Sequence, residues 1–309
     1  MLYSDNIYSS DSYNEHEIHC DYDVTVEKRA KKKKATPLQI EKQNHWNKVK
    51  KCRRTIQQNF RAGDLWCTFA YKKGTRKTMA EFIRDIQRFQ NHLRVEYRKR
   101  GHEFKWIRRL EIGKRGGLHA HFIINFIGDT QIISDTWKKT VKDSGRVYFT
   151  NIDEEDGFNG LAEYICKNPE EEIQGQMSFF IPTEKKQLYS VQTSRNLKRP
   201  EPVKVKISPW QVMKVMLGLE ELKPSEGFFI EQDTVRKGYN KFTHMPYIRY
   251  RERRLQPENK NQPVPDANVG ENHKNMPENR KNTRIKDAAH DLADKAKGFI
   301  RSIAGRWKR

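Results

Sequence analysis

The glycine-rich turn at residues 113–117 is the feature that most constrains how this chain can fold. A segment rich in apolar residues leads up to it from about residue 104, and a second such segment follows at once, over residues 118–126. Two apolar segments joined by a short turn that contains glycine pair as an antiparallel hairpin. The sequence therefore predicts two neighbouring antiparallel strands in the middle of the chain.

Elements on both sides of this hairpin extend the pattern. Alternation of apolar and polar residues predicts strands over residues 64–72 and 146–152. Helical spacing of apolar residues predicts a helix over 79–100, which begins at a capping box formed by Thr78 and Glu81. Shorter helices are expected over 132–141 and over 161–168, the latter capped by Asn159. This order matches a ferredoxin-like α+β fold, an antiparallel sheet of about five strands with helices packed on it.

Composition divides the chain into five parts. Residues 1–45 read as a flexible arm with a basic stretch, and residues 46–182 as the compact domain. Residues 183–255 form an extension of uncertain structure, in which 204–207 and 228–230 suggest strands and 210–219 a helix. Asparagine and proline dominate residues 256–284, which is typical of a disordered linker. Residues 285–309 suit a basic amphipathic helix of the kind that contacts a partner, a membrane surface or DNA, or folds back on its own domain.

The charge balance favours a polyanionic partner. The chain has 61 Lys and Arg against 40 Asp and Glu, a formal net charge of +21, and this excess favours nucleic acid before an acidic membrane surface. Its 4 cysteines are widely spaced without a C-x-x-C pair, which fits a reducing cytoplasm better than a disulfide framework or a zinc site. No apolar run is long enough to span a membrane, and no secretion signal opens the chain.

The sharpest chemical feature is the pair His119 and His121 within the second strand of the hairpin. Residues two apart in a strand point to the same face, so both imidazoles can reach one divalent cation. If the hairpin loop spans residues 114–116, Glu111 faces His119 across the strands and adds a carboxylate to the cluster. A two-residue or four-residue loop would turn Glu111 to the other face, and two histidines on an exposed strand are often ordinary surface residues.

Tyr164 and Lys167 form a second candidate pair. They lie three positions apart on the last predicted helix and so share one of its faces, while Leu161 and Ile165 supply the buried side. Taken alone, a helical tyrosine is usually a packing residue and a nearby lysine is usually solvated. The pair becomes meaningful beside a metal site in a basic chain.

Together these motifs resemble a known family. The pattern E-x-G-x-x-G-x-x-H-A-H, followed by Y-x-x-K, resembles the second and third motifs of HUH endonucleases, in particular the single-tyrosine rolling-circle replication initiators of phages, plasmids and small single-stranded DNA viruses. The resemblance covers about residues 60–170, and Thr68 fits the family's first motif loosely. It implies a five-stranded sheet and Mg²⁺ or Mn²⁺ held by His119, His121 and Glu111. Tyr164 is then the nucleophile and Lys167 its helper, and no Y-x-x-x-Y spacing supports a second tyrosine.

Partners follow from the same reading. Arg108, Arg109, Lys114 and Arg115 are expected to hold the DNA backbone, and the aromatic residues Trp66, Trp106 and Tyr148 are candidates for stacking unpaired bases. The substrate is expected to be single-stranded DNA at a replication origin. Because the chain has no G-x-x-x-x-G-K-[ST] phosphate loop, a host helicase must join the host polymerase. The basic stretch at residues 194–200 has no role that the sequence reveals.

Two other functions remain compatible with the sequence. A ferredoxin-like sheet with basic and aromatic residues is also how non-catalytic proteins hold single-stranded nucleic acid, although the aromatic signature of RNA-recognition modules is missing. A single-tyrosine transposase uses the same chemistry on a transposon-end hairpin. A covalent DNA adduct that depends on a metal and on Tyr164 separates the enzymes from the binding protein.

Overall fold

The computed structural model describes residues 2–21, 36–169, 174, 177, 180–240 and 244–255. Over these residues the chain is an α+β protein with two antiparallel sheets, as the sequence predicts for the fold class. The basic run at 31–34, the predicted linker at 256–284 and the predicted helix at 285–309 lie outside the described residues.

The described elements follow in chain order. The strands are β1 (Leu2–Ser9), β2 (Tyr13–Asp21), β3 (Leu65–Tyr71), β4 (Trp106–Ile112), β5 (Leu118–Ile124), β6 (Gly145–Asn151), β7 (Gln192–Thr193), β8 (Val203–Ile207), β9 (Phe228–Ile230), β10 (Arg236–Tyr239) and β11 (Pro246–Arg254). The α-helices are α1 (Pro37–Asn59), α2 (Met79–Lys99), α3 (Gln131–Thr140), α4 (Asn159–Cys166), α5 (Pro182–Gln187) and α6 (Pro209–Met216), and a short 3₁₀ helix spans Gln232–Thr234.

The first sheet has the strand order β6-β3-β5-β4-β7 in the described residues. Four of these strands are those that the sequence predicts, and β4 and β5 form the expected hairpin. The remaining strand, β7, lies at the edge beside β4 and comes from the extension whose structure the sequence left open. With two residues, β7 is too short for a recognisable alternation of side chains.

Helices cover both faces of the first sheet. On one face α2 and α3 bury a cluster that includes Phe69, Phe89, Phe122 and Trp137. On the other face α1 and α4 bury a second cluster, whose sheet residues include Ile107 and Ile123. Burial of each large apolar side chain contributes roughly 1.5–3 kcal/mol, so these two layers are the main source of stability for this part of the chain.

Local sequence signals set several helix starts. The Thr78 hydroxyl accepts from the Glu81 backbone N–H at 3.2 Å, and the Glu81 carboxylate accepts from the Thr78 N–H at 2.8 Å, which confirms the predicted capping box. The start of α4 differs from the expectation that Asn159 caps it. Asp156 accepts from the Asn159 N–H at 3.0 Å instead, because the chain enters α4 through two residues with positive φ.

The second sheet joins segments from distant parts of the chain. Its order is β10-β11-β2-β1-β8, and β9 also pairs with β11. In β2 and β11, Asn14 faces Glu252, residues that are more than two hundred positions apart in sequence. One face of this sheet packs on α6 through buried residues such as Tyr3, Ile248 and Val212.

The N-terminal residues therefore differ from the flexible arm that the sequence suggested. Residues 2–21 form the hairpin β1–β2, and residues 37–45 are the first turns of α1. The hairpin is polar because its second face meets charged residues of α1 rather than an apolar core. Polar composition in this segment was taken for a lack of structure, and this is the correction that the fold makes.

Ion pairs connect the second sheet to α1. The Glu15 carboxylate of β2 accepts hydrogen bonds from Arg53 at 2.6 Å and from the Arg54 guanidinium at 2.8 and 2.9 Å. Glu17 accepts from Lys50 at 2.6 Å. The side chains of Glu15 and Arg54 are 13% and 7% exposed, so water screens this pair far less than a surface ion pair. Through α1, the second sheet is thus attached to the domain that contains the first sheet.

Residues 194–200, whose role the sequence did not reveal, act as a strap across the end of this domain. Ser194 extends the pairing of β7 and β4, since its N–H donates to Trp106 O at 2.9 Å and its Oγ accepts from Trp106 N–H at 3.1 Å. Leu197 is buried in the cluster between α1 and the sheet. The Lys198 backbone N–H donates to Asn59 Oδ1 at 2.8 Å. The strap ties the last residue of α1 to the edge of the first sheet.

None of the helices in the described ranges is long and apolar enough to cross a bilayer.

Candidate metal centre and its tyrosine

The hairpin geometry places Glu111 where the sequence predicted it. Glu111 faces His119 in the register of β4 and β5, and the turn is closed by a hydrogen bond of 2.8 Å from Gly113 N–H to Gly117 O. Gly116 has a φ of +75°, a conformation that glycine adopts without strain. The loop therefore spans residues 114–116, and an odd number of loop residues puts Glu111 and both histidines on one face of the sheet.

The three side chains converge on a small volume. One ligand atom from each of Glu111, His119 and His121 lies within 4.8 Å of the other two. Glu111 Oε2 is 3.0 Å from His121 Nε2 and 3.7 Å from His119 Nε2. In the described part of the chain, neither Glu111 Oε2 nor His121 Nε2 has a hydrogen-bond partner, although both atoms are buried. Buried polar atoms of this kind are rare without a partner, and here they fit a shared cation.

The other nitrogen of each imidazole is held in place. His119 Nδ1 lies 3.2 Å from the carbonyl oxygen of Gly117, and because a carbonyl can only accept, Nδ1 carries the proton. His121 Nδ1 lies 3.1 Å from the Thr68 hydroxyl on β3. With Nδ1 engaged, the lone pair of each Nε2 is free to bind metal. Such outer contacts are common around metal-binding histidines and fix the ring orientation.

Electrostatics keep this cluster in its metal-binding protonation state. Burial alone would raise the pKa of Glu111, but His119, His121 and Lys167 around its carboxylate hold that pKa well below the usual range. Burial lowers the pKa of His121, and the charges of His119 and Lys167 act in the same direction against the opposing effect of Glu111. An ionised carboxylate and a neutral imidazole are the forms that bind a divalent cation.

Tyr164 and Lys167 reach this cluster from α4. The ring of Tyr164 meets the rings of His121 and Trp66 edge-on, with centroid distances of 5.6 and 5.4 Å, and the side chain is 45% exposed. Lys167 Nζ is 3.0 Å from Glu111 Oε1 and 4.4 Å from the centroid of the Tyr164 ring. The structure therefore brings together all five residues for which the sequence suggested metal binding or catalysis.

The two arginines of β4 differ from the sequence-based expectation that they hold DNA. Arg108 and Arg109 are 5% and 1% exposed. Arg108 donates to Gln90 and Gln192 on the α2 face, and Arg109 donates to the backbone carbonyls of Ile165 and Lys167. Neither guanidinium can reach a phosphate backbone, because both strand faces at this point are covered by helices. Arg109 instead anchors the end of α4, next to Tyr164 and Lys167.

The remaining predicted contacts are divided between surface and interior. Lys114 and Arg115 are exposed at the tip of the turn, and Tyr148 is 58% exposed on β6. Trp106 is buried. Trp66 is half-buried and stacks on the ring of His121 at 5.1 Å with an interplanar angle of 16°.

Two residues of β3 belong to the site although the sequence assigned them no part in the metal centre. Thr68 and His121 are paired across β3 and β5, and Trp66 lies two positions before Thr68 on the same face. The alternation in β3 shows which of its residues share a face. It does not show which strand β3 pairs with, and that pairing is what places Thr68 beside His121.

Fold and site together define a class: an α+β protein whose antiparallel sheet presents a glutamate and two histidines beside a helical tyrosine. Residues 64–169, about a third of the chain, match a family model described as replication-associated protein ORF2. This match supports a protein of the replication initiator type, and its bounds enclose every residue of the candidate site. Searches of curated proteins and of solved structures gave no match.

Proposed function

We propose that this protein starts rolling-circle replication by nicking single-stranded DNA at an origin, as a single-tyrosine HUH endonuclease does. One observation carries the proposal: Glu111, His119 and His121 converge within 4.8 Å in the described structure, and the ring of Tyr164 packs against that of His121. Metal ligands beside an exposed phenol are what a phosphotyrosine mechanism requires.

Glu111 Oε2, His119 Nε2 and His121 Nε2 would hold Mg²⁺ or Mn²⁺. Their fit rests on the two buried atoms without partners and on the imidazoles oriented from behind by Thr68 and Gly117. The mixed nitrogen and oxygen donor set suits Mn²⁺ at least as well as Mg²⁺. Such an ion, when bound, supplies positive charge to the oxygens of the scissile phosphate.

Tyr164 is the nucleophile in this proposal. Its phenolic oxygen forms a bond to phosphorus while the bond from phosphorus to the 3′ oxygen breaks, and the phenolic proton ends on the released 3′ hydroxyl. The protein stays attached to the 5′ phosphate, and the 3′ hydroxyl primes synthesis. Because one phosphate ester replaces another, the same residues can reverse the step and rejoin the ends.

Lys167 and Trp66 assist from opposite sides of the phenol. The ammonium of Lys167 lies 4.4 Å from the ring centroid of Tyr164, so its charge favours the phenolate over the phenol. Trp66 contacts both Tyr164 and His121, and this contact fixes the distance between nucleophile and metal ligands. Lys114 and Arg115, exposed on the turn, are proposed to contact the DNA backbone.

The test uses labelled single-stranded oligonucleotides that tile the replicon encoding the chain, incubated with the full-length protein and Mn²⁺. We expect a covalent product that resists denaturation and is lost on chelation with EDTA. Tyr164→Phe, His119→Ala and His121→Ala should abolish it. Tyr148→Phe is the matched control, because Tyr148 is an exposed tyrosine on the same sheet face and should be dispensable.

Other outcomes would select other functions. A wild-type yield of adduct from Tyr164→Phe would remove the assigned nucleophile, and robust nicking by both histidine variants would remove the assigned metal centre. Binding of single strands without any nicking would favour a non-catalytic binding protein. Cleavage restricted to hairpins from transposon ends would favour a transposase. As an initiator the protein would act in the host cytoplasm with a host helicase and polymerase.

A further inference from the structure

A groove of about 890 Å³ leads away from the metal centre between two loops. We call it the basic groove. One wall is the loop between β3 and α2, with Lys72, Lys73 and Arg76, and the other is the turn between β4 and β5, with Lys114 and Arg115. Thr68 and His119 line its inner end, so the groove and the metal centre share residues.

The charges in the basic groove have one sign. No aspartate or glutamate is among the described residues that line it, and Lys72, Lys73, Arg76 and Arg115 are exposed. In the described part of the chain, none of these four side chains forms an ion pair. Lys77 also lines the groove but lies 3.8 Å from Glu81 and 4.0 Å from Asp85, which offset its charge. Unpaired cations at this density repel each other, and a polyanion in the groove removes the repulsion.

The size and surroundings of the groove fit a strand rather than a small ligand. Its volume is near the upper end of small-molecule sites, roughly 300–1,000 Å³, and cations from two separate loops stand along its length. Tyr148, exposed on β6, faces Thr68 across β3 and so stands next to the inner end of the groove. Exposed aromatic rings beside a basic track are how proteins hold unpaired bases.

We propose that the basic groove binds the phosphodiester backbone of single-stranded DNA next to the phosphate that Tyr164 attacks. This inference rests on the proposed function and adds three cations, Lys72, Lys73 and Arg76, that no sequence motif had singled out. The backbone contacts fix which phosphate lies at the metal centre, while the groove itself is indifferent to base sequence.

The experiment compares two triple variants of equal charge change. Lys73→Ala/Arg76→Ala/Arg115→Ala removes three cations from the groove. The matched control is Arg94→Ala/Arg98→Ala/Arg195→Ala, because these exposed arginines line a different cavity of about 760 Å³ at the opposite end of β4. Both are made in full-length protein that also carries Tyr164→Phe, and binding of a labelled oligonucleotide is measured by fluorescence anisotropy in EDTA at several salt concentrations. A covalent step cannot then influence the result.

We expect the groove variant to bind at least about tenfold more weakly and to lose roughly 2 units of slope in log affinity against log salt, about 0.7 for each lost contact. The control should keep its slope within about 0.5. Equal losses in both variants, or unchanged binding by the groove variant, would overturn the assignment. So would competition by a blunt duplex as strong as that by the single strand at equal phosphate concentration. If the nicking assay fails with the wild-type protein, these binding results still stand, so the two proposals fail separately.

Discussion

Thr68 Oγ1 lies 3.1 Å from Nδ1 of His121, across the paired strands β3 and β5. The contact holds the imidazole from behind, so that Nε2 meets the carboxylate of Glu111. A threonine in the middle of a strand thus determines the orientation of a candidate metal ligand on its neighbour.

Removing this hydroxyl should weaken metal binding without disturbing the fold. Thr68→Val keeps the side-chain shape, and loss of such an outer contact typically lowers metal affinity by roughly 10–100-fold. Isothermal titration calorimetry with Mn²⁺ measures the change. Thr150→Val, on the same sheet face and exposed, is the control and should bind as the wild type does. Equal affinity for Thr68→Val and wild type would show that the hydroxyl does not orient His121.

Trp66 should affect the rate of adduct formation more than metal binding. Its ring touches both His121 and Tyr164, so Trp66→Leu leaves the phenol free to move relative to the ligands. We expect a rate about tenfold lower at saturating DNA, because misplacement of a reacting group raises the barrier. Trp66→Phe should restore part of the rate. An unchanged single-turnover rate in Trp66→Leu, with a raised KM, would instead assign Trp66 to DNA binding.

Arg109 should position α4, and Arg108 provides its control. Both are buried arginines of β4 on opposite faces, and replacement by Met leaves polar partners unsatisfied at a cost of roughly 1–3 kcal/mol in unfolding free energy. In Arg109→Met the partners are the carbonyls of Ile165 and Lys167, so Tyr164 loses its support. Urea unfolding should show comparable destabilisation of both variants. At a temperature where both remain folded, adduct formation should fall in Arg109→Met well below that in Arg108→Met.

The joint between the second sheet and α1 should weaken in acid. Burial alone would raise the pKa of Glu15, but the hydrogen bond from Arg54 and the charges of Arg53 and Arg54 lower it below its ordinary value of 4.5. A carboxyl whose pKa is lower in the folded state adds stability above pH 4.5, and that stability is lost as the pH falls through the folded-state pKa.

Glu15→Gln tests this directly. At pH 7 the variant should be less stable than the wild type by roughly 3–5 kcal/mol, since one partner of a buried ion pair is removed. The difference should shrink as the pH falls below about 4.5, because the wild-type carboxyl then takes up a proton. Urea unfolding at a series of pH values measures both. A difference that stays constant from pH 7 to pH 3 would show that Glu15 acts through packing rather than through its charge.

Much of the first sheet could be predicted because its signals are local. The capping box of Thr78 and Glu81 and the turn at residues 113–117 each depend on residues a few positions apart. The turn also set the register that brings Glu111 opposite His119, since an odd loop length fixes which residues share a face.

The sequence could not reveal the burial of Arg108 and Arg109 or the second sheet. Arginine is usually exposed, and its position in a strand does not show that helices cover both faces there. In the second sheet, β2 pairs with β11 from the far end of the described chain, and each strand is half polar because charged residues of α1 face it. No pattern within one strand encodes such a distant partner.

By itself, then, the sequence determined the hairpin, its register and the identity of the residues that gather at Glu111, because a strand's alternation and a turn's length act over a few residues. Tertiary structure decided what stands behind those residues: Thr68 against His121, Arg109 under α4, and a sheet built from both ends of the described chain. These contacts depend on which strands become neighbours, and that choice is made by the packing of the whole molecule.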